Sequence, residues 1–172
     1  GRWTPRRAQL INPDGALIAD RLNPRASFTQ FKKNFSWDPL DVVYFTGYSL
    51  WNYLSFPFQL DTPDVKLTEF RAPDTSLVDR LTAQFDHRLR THSIQQTYHF
   101  NERRQLVRHD YTVDVIGALA RVSNVGLTNE AVAGLRFYTR HEACLRLGQS
   151  MLPPFPTLLW FALDDVEVEY AD

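Results

Sequence analysis

The sequence predicts an α+β, mostly β fold: a curved antiparallel sheet of about eight strands, a half-barrel, wrapped round one buried helix. Three observations carry this expectation. From Val65 onward the chain runs through consecutive segments of period-two alternation separated by polar turns. One segment, "WDPLDVVYFTGYSLWNYLSFPF", has helix start and stop chemistry and is apolar on nearly every face. The chain of 172 residues, 44% hydrophobic and 13% aromatic, can bury a core of one domain, residues 1–172, with no repeat, linker or low-complexity stretch.

The elements follow in order. Asn12-Pro13-Asp14-Gly15 is type I turn chemistry closed by a left-handed glycine, so Arg6–Ile11 and Ala16–Arg21 read as a hairpin. "NPRASFTQFKKNFS" reads as a loop with room for one helical turn. The helix starts at Asp38, a good N-cap, with Pro39 at the first helical position and Asp41 near the positive helix end. Pro57 stops it. Leu40, Val43, Tyr44, Gly47, Tyr48, Trp51 and Leu54 share one face, and Val42, Phe45, Leu50, Tyr53 and Phe56 make the other side apolar too. Such a helix has to be enclosed.

Strands are expected at Val65–Arg71, Leu77–Phe85, Ile94–Phe100, Leu106–Val115, Arg136–Leu147 and Thr157–Tyr170. "IGALARVSNVGLTNEAVAG" reads as a loop with a short helix, and "GQSMLPPFP" as a Pro-rich loop.

Composition narrows the function. Nineteen Lys plus Arg against 20 Asp plus Glu give a net charge of −1, without the basic surface that nucleic acid demands. The single cysteine, Cys144, rules out an intramolecular disulfide and an all-thiolate metal site, and fits a reducing compartment. The run Val42–Phe58 is too short and too polar for a membrane span. "GRWTPRRAQL" has no signal-peptide core, so a cytoplasmic location is expected; the chain begins with Gly1, which leaves a removed leader open. There is no nucleophile elbow, phosphate loop or dinucleotide fingerprint, so no cofactor is expected.

One pattern points to a site. Val107, His109, Tyr111, Val113 and Val115 alternate along one face of a strand, placing a histidine and a tyrosine among valines. If the preceding turn has four or six residues, Tyr98 and Gln96 join that face; a five-residue turn puts them opposite. Phe100, by its size, argues for the first case, and brings Ile94 inward too. His141 occupies the apolar side of its own strand.

Three readings stay open for these histidines: satisfied core residues, a proton-transfer pair, or ligands of a metal. The spacing contains no metal motif, so no metal is assigned. Asp110 and Asp114 fall on the other face and read as solvated. His87 and His92 bracket "HRLRTH", a basic turn able to receive an anion or simply to face water.

"WDPLDVVYFTGYSLWNYLSFPF", "THSIQQTYHF", "RRQLVRHDYTVDV" and the ending "RFYTRHEA…PTLLWFALDDVEV" together resemble a family of small bacterial proteins of uncharacterised activity, from about Arg6 to Val168. The chain departs from it at Asn101-Glu102-Arg103-Arg104, where the family favours an acidic, Gly-containing turn, and at His141, where it favours arginine. The resemblance implies an architecture similar to lipoprotein-carrier and lipocalin-like half-barrels, and no established activity.

The expected function is a pocket protein for a hydrophobic small molecule, in one form a cofactor-independent isomerase or cyclase of secondary metabolism. His109 would transfer the proton, Tyr111 and Tyr98 would donate to a developing oxyanion, and Gln96, His141, Tyr48, Trp51 and Trp160 would bind the ligand. The alternatives are a non-catalytic carrier or sensor, and an interaction module pairing through its last strand. Neither nucleic acid nor a membrane span is expected as partner, and a homodimer is left open.

Overall fold

The computed structural model describes residues 1–29, 36–71, 78–148, 150–151 and 157–169. Among the described residues strand accounts for 49% and helix for 16%, so the fold is α+β and mostly β, with an antiparallel sheet and one α-helix. Its contacts divide it into two compact units. The first contains Gly1–Lys66, Gln84–Ile94 and Thr112–Ala120; the second contains Leu67–Ala83, Gln95–Tyr111 and Arg121–Asp172.

In the first unit, β1 (Arg2–Thr4), β2 (Arg7–Ile11) and β3 (Leu17–Leu22) form a small sheet in that order. The Asn12-Pro13-Asp14-Gly15 turn behaves as its chemistry dictates. Gly15 takes a φ of 84° and donates to the Asn12 carbonyl at 3.0 Å, while the Asn12 side-chain oxygen accepts from Ala16 N at 2.7 Å. β1 is an element that periodicity cannot reveal, because three residues carry no period.

Helix α1 (Pro39–Leu54) begins where expected. The Asp38 carboxylate accepts from Leu40 N and Asp41 N, and Asp41 returns the favour to Asp38 N, closing a capping box. Arg21 of β3 then clamps both carboxylates, at 2.7 Å to Asp38 and 2.6 Å to Asp41. Ser27 Oγ, in the 3-10 turn Pro24–Ser27, adds a donor to Asp41 at 2.5 Å.

The helix packs on β1 and β2. Its buried residues are Leu40, Asp41, Tyr44, Tyr48, Ser49 and Asn52, whereas Val42 is 48% exposed. The expectation of a helix enclosed on all sides is therefore corrected. The side facing inward carries hydroxyls and an amide, and much of the aliphatic side is half-buried or exposed. Gly47 is where β1 and the helix meet most closely: a Cβ there would lie 2.3 Å from Trp3 Cγ.

The larger sheet comprises β4 (Val65–Arg71), β5 (Val78–Phe85), β6 (Gln95–Phe100), β7 (Leu106–Thr112), β8 (Arg121–Val132), β9 (Leu135–Leu147), β10 (Ser150–Met151) and β11 (Thr157–Ala162). Its order is β10-β9-β8-β7-β6-β5-β4, with β11 also pairing β9. The sheet is open and uncurled, so the expected half-barrel curvature is absent.

β8 replaces the loop and short helix expected at this point. Asn, Thr and Gly blur its alternation, yet it pairs with β9 from Val122↔Leu145 to Val132↔Leu135. Ala133 and Gly134 fill the two positive-φ places of the hairpin turn between them, at 50° and 81°. Gly126 is covered by the Tyr138 ring, whose Cδ1 would lie 2.1 Å from any added Cβ.

β11 ends at Ala162, well short of Tyr170. The acidic Asp164 to Glu169 does not pair, and Tyr170 lies outside the described residues, as do Leu77 and most of the Pro-rich stretch. Ile94 is 51% exposed and not inward. Among the described residues no helix is long and apolar enough to cross a membrane.

Candidate functional site

The eight residues selected from the sequence divide between the units. Tyr48 and Trp51 belong to the first; Gln96, Tyr98, His109, Tyr111, His141 and Trp160 belong to the second.

In the second unit the β6–β7 register decides the arrangement. The loop Asn101–Gln105 has five residues, and that parity alone would put Tyr98 opposite to His109 in facing. A bulge restores it: Phe100 pairs with Leu106, but His99 pairs with Arg108, so Val107 is the extra residue. Tyr98 and His109 thereby become direct partners on one face. Their rings stack with centroids 4.3 Å apart and planes 8° apart, and the Tyr111 ring lies 4.8 Å from His109, tilted by 55°. His109 Nε2–H donates to Gln96 Oε1 at 2.7 Å.

All four side chains are buried. Burial pushes the His109 pKa down to about 3, with the nearby Asp110 charge opposing and those of His141 and His99 adding. His109 is thus a neutral hydrogen-bonding ring near pH 7. Such a group orients and packs, and near pH 7 it is not the imidazolium that a general acid requires.

On the reverse face the structure corrects the reading of Asp110 as solvated. Asp110 is 5% exposed and collects donors from four elements' side chains. Arg108 binds both oxygens at 2.7 Å, Ser123 Oγ donates at 2.6 Å, His99 Nε2 lies at 3.0 Å and Arg146 Nε at 3.8 Å. Burial alone would raise its pKa. The hydrogen bonds from His99, Arg108 and Ser123 outweigh that and hold the carboxylate well below its usual range. The sequence signal for this hub was the alternation itself, Arg108-Asp110 facing His99, which reads equally as a wet surface.

His141 sits between β8 and β11, stacked on Phe161 at 4.5 Å. Its Nε2 donates to the Tyr138 carbonyl at 3.0 Å and its Nδ1 lies 2.8 Å from the Asn124 side-chain amide. Burial lowers its pKa to about 4, against the Tyr138 bond that raises it, so the ring is neutral and Nδ1 needs a donor. The Asn124 side-chain amide, whose N–H₂ is buried without another acceptor among the described residues, is placed to supply it. Trp160 of β11, paired with Glu142, is 60% exposed. Burial and Glu142 push the Cys144 thiol up, which keeps it in the thiol form near pH 7.

The first unit holds a cavity of about 340 Å³ that the sequence reading approached only through Trp51. Trp3 of β1, Pro5, Trp51 of α1 and Leu89 form its apolar walls, and Thr4, Arg88 and Arg90 complete it. Arg88 is held by carboxylates, at 2.8 Å to Asp86 and 2.7 Å to Asp64. Its hydrogen bonds lower the Asp86 pKa to about 2. Tyr48 is buried in this unit without lining the cavity, against Tyr44 and His92, with Arg25 6.0 Å above its ring. The "HRLRTH" segment is split in use: His87 is exposed, whereas His92 is buried among Phe45, Tyr48 and Tyr53.

Among the described residues no three His, Cys, Asp or Glu side chains are grouped to hold a metal. Comparison with protein-family models, curated proteins and solved structures finds no match to this chain.

Proposed function

We propose that this chain is a binding protein for a hydrophobic small molecule, held in the cavity between Trp3 and Trp51. The observation that carries the reading is the cavity itself. Its volume falls within the range of small-molecule sites, about 300 to 1,000 Å³, and its walls are two indoles, a proline and a leucine. Indoles supply large apolar area with little side-chain entropy to lose.

The carrier form of this reading is preferred to the isomerase or cyclase form. His109 is buried, stacked and neutral, and its Nε2–H is already committed to Gln96. The buried lone cysteine supports a reducing, cytoplasmic setting.

Titration with the neutral fluorophore N-phenyl-1-naphthylamine tests the proposal. Saturable enhancement is expected with the parent protein and a loss of at least ten-fold in affinity with Trp51→Ala, at unchanged circular dichroism. Equal binding by both proteins would sink the assignment to this cavity.

A second reading, pairing through the last strand, has one observation in its favour. β11 pairs only β9 among the described residues, and Leu158 and Trp160 project exposed from one of its faces. Trp160→Lys would shift a dimer to monomer in sedimentation if a second copy docks there, and would change nothing if none does.

A further inference from the structure

We infer that the ligand of the Trp3–Trp51 cavity is an amphipathic carboxylate, an apolar body whose anionic head is received by Arg90. This rests on the cavity reading above and adds the chemistry of the head.

The inference comes from the polar inventory of an otherwise apolar site. Its two guanidinium groups differ in how their charge is met. Arg88 is paired twice: Asp86 accepts from its Nε and Nη2, and Asp64 accepts from the same Nη2. Arg90 is half-buried, lines the same cavity, and has no ion pair or side-chain hydrogen bond among the described residues.

A guanidinium is a donor only. What the site lacks is an acceptor with negative charge. A carboxylate provides two acceptor oxygens in the plane and spacing that match the guanidinium fork. Asp64 and Asp86 do not take that role, since both are spent on Arg88. The apolar walls then set the rest of the molecule: an aliphatic or aromatic body of modest size, in keeping with about 340 Å³.

Competition against bound N-phenyl-1-naphthylamine separates the claims, using decanoate and decanol as probes of matched length. A hydrogen-bonded charge contributes roughly 10- to 100-fold in affinity. Decanoate is therefore expected to displace the fluorophore at concentrations about ten-fold or more below decanol with the parent protein. Arg90→Gln should abolish that preference, weakening decanoate and leaving decanol unchanged, and 1 M salt should erode it. Equal displacement by both probes in the parent protein would overturn the carboxylate inference and leave the cavity reading standing. Equal weakening of both probes by Arg90→Gln would make Arg90 a wall only, and would also overturn it. If neither probe displaces the fluorophore, the cavity reading falls and this inference falls with it.

Discussion

Tyr98 and His109 face each other across the β6–β7 ladder, with rings stacked at 4.3 Å and only 8° from parallel. The pairing exists because Val107 is bulged out, which cancels the odd length of the loop before it. A tyrosine and a histidine in the middle of an apolar face are thus explained by ring packing and by hydrogen bonding such as that of His109 to Gln96. The chain keeps His109 neutral by burying it.

That burial has a pH signature. His109 and His141 have folded pKa values of about 3 and about 4, below the ordinary 6.5. A depressed value means that the unfolded chain takes up protons first as pH falls. Stability is therefore complete well above pH 6.5 and declines below it, down to about 4 for His141 and about 3 for His109, by at most about 1.4 kcal/mol per pH unit for each histidine. Urea midpoints measured between pH 7.5 and 4.5 should fall accordingly, and His109→Gln should lessen the slope. A flat profile over that window would contradict the burial argument.

Asp110 should be the most sensitive position on the reverse face. Asp110→Asn leaves Arg108 and Arg146 beside a neutral amide in a buried site, and a broken buried pair costs about 3–5 kcal/mol. Ser123→Ala removes one neutral donor and should cost about 1 kcal/mol. Denaturant unfolding checks the ranking.

Gly47→Ala tests the seat of β1 on α1. The new methyl meets Trp3 Cγ at 2.3 Å, so Trp3 must move or the helix must retreat. A loss of about 1–3 kcal/mol is expected, as for other overpacked sites. Because Trp3 is a cavity wall, fluorophore binding should weaken in the same variant.

Arg104, in the β6–β7 loop, holds a φ of 59°. A left-handed non-glycine residue is strained by about 1 kcal/mol. Arg104→Gly should therefore raise the urea midpoint by an amount equivalent to roughly 0.5–1 kcal/mol, after the extra unfolded-state entropy of glycine is set against it.

What could be read from the sequence was the chemistry of short range. Asn12-Pro13-Asp14-Gly15 and Asp38-Pro39 announce a turn and a helix start because their own side chains and dihedral limits make those structures. The face shared by Gln96, Tyr98, His109 and Tyr111 was legible down to one alternative of loop parity. The bulge that chose between them depends on where the whole ladder pairs. Asp110 escaped because polar alternation looks the same whether water or Arg108, Ser123 and His99 meet it. β8 escaped because its order comes from β9 and the Tyr138 ring over Gly126. The cavity needed Trp3, Trp51 and Leu89 brought together from distant parts of the chain, which no local pattern encodes.

The chain has four tryptophans, Trp3, Trp37, Trp51 and Trp160, and their indole N–H resonances give a direct map of where a ligand sits. Nitrogen-15 spectra recorded while N-phenyl-1-naphthylamine is added should show the Trp3 and Trp51 signals moving together and saturating, while the exposed Trp160 stays in place. Movement of Trp160 alone, or of no indole at all, would contradict the cavity as the binding site.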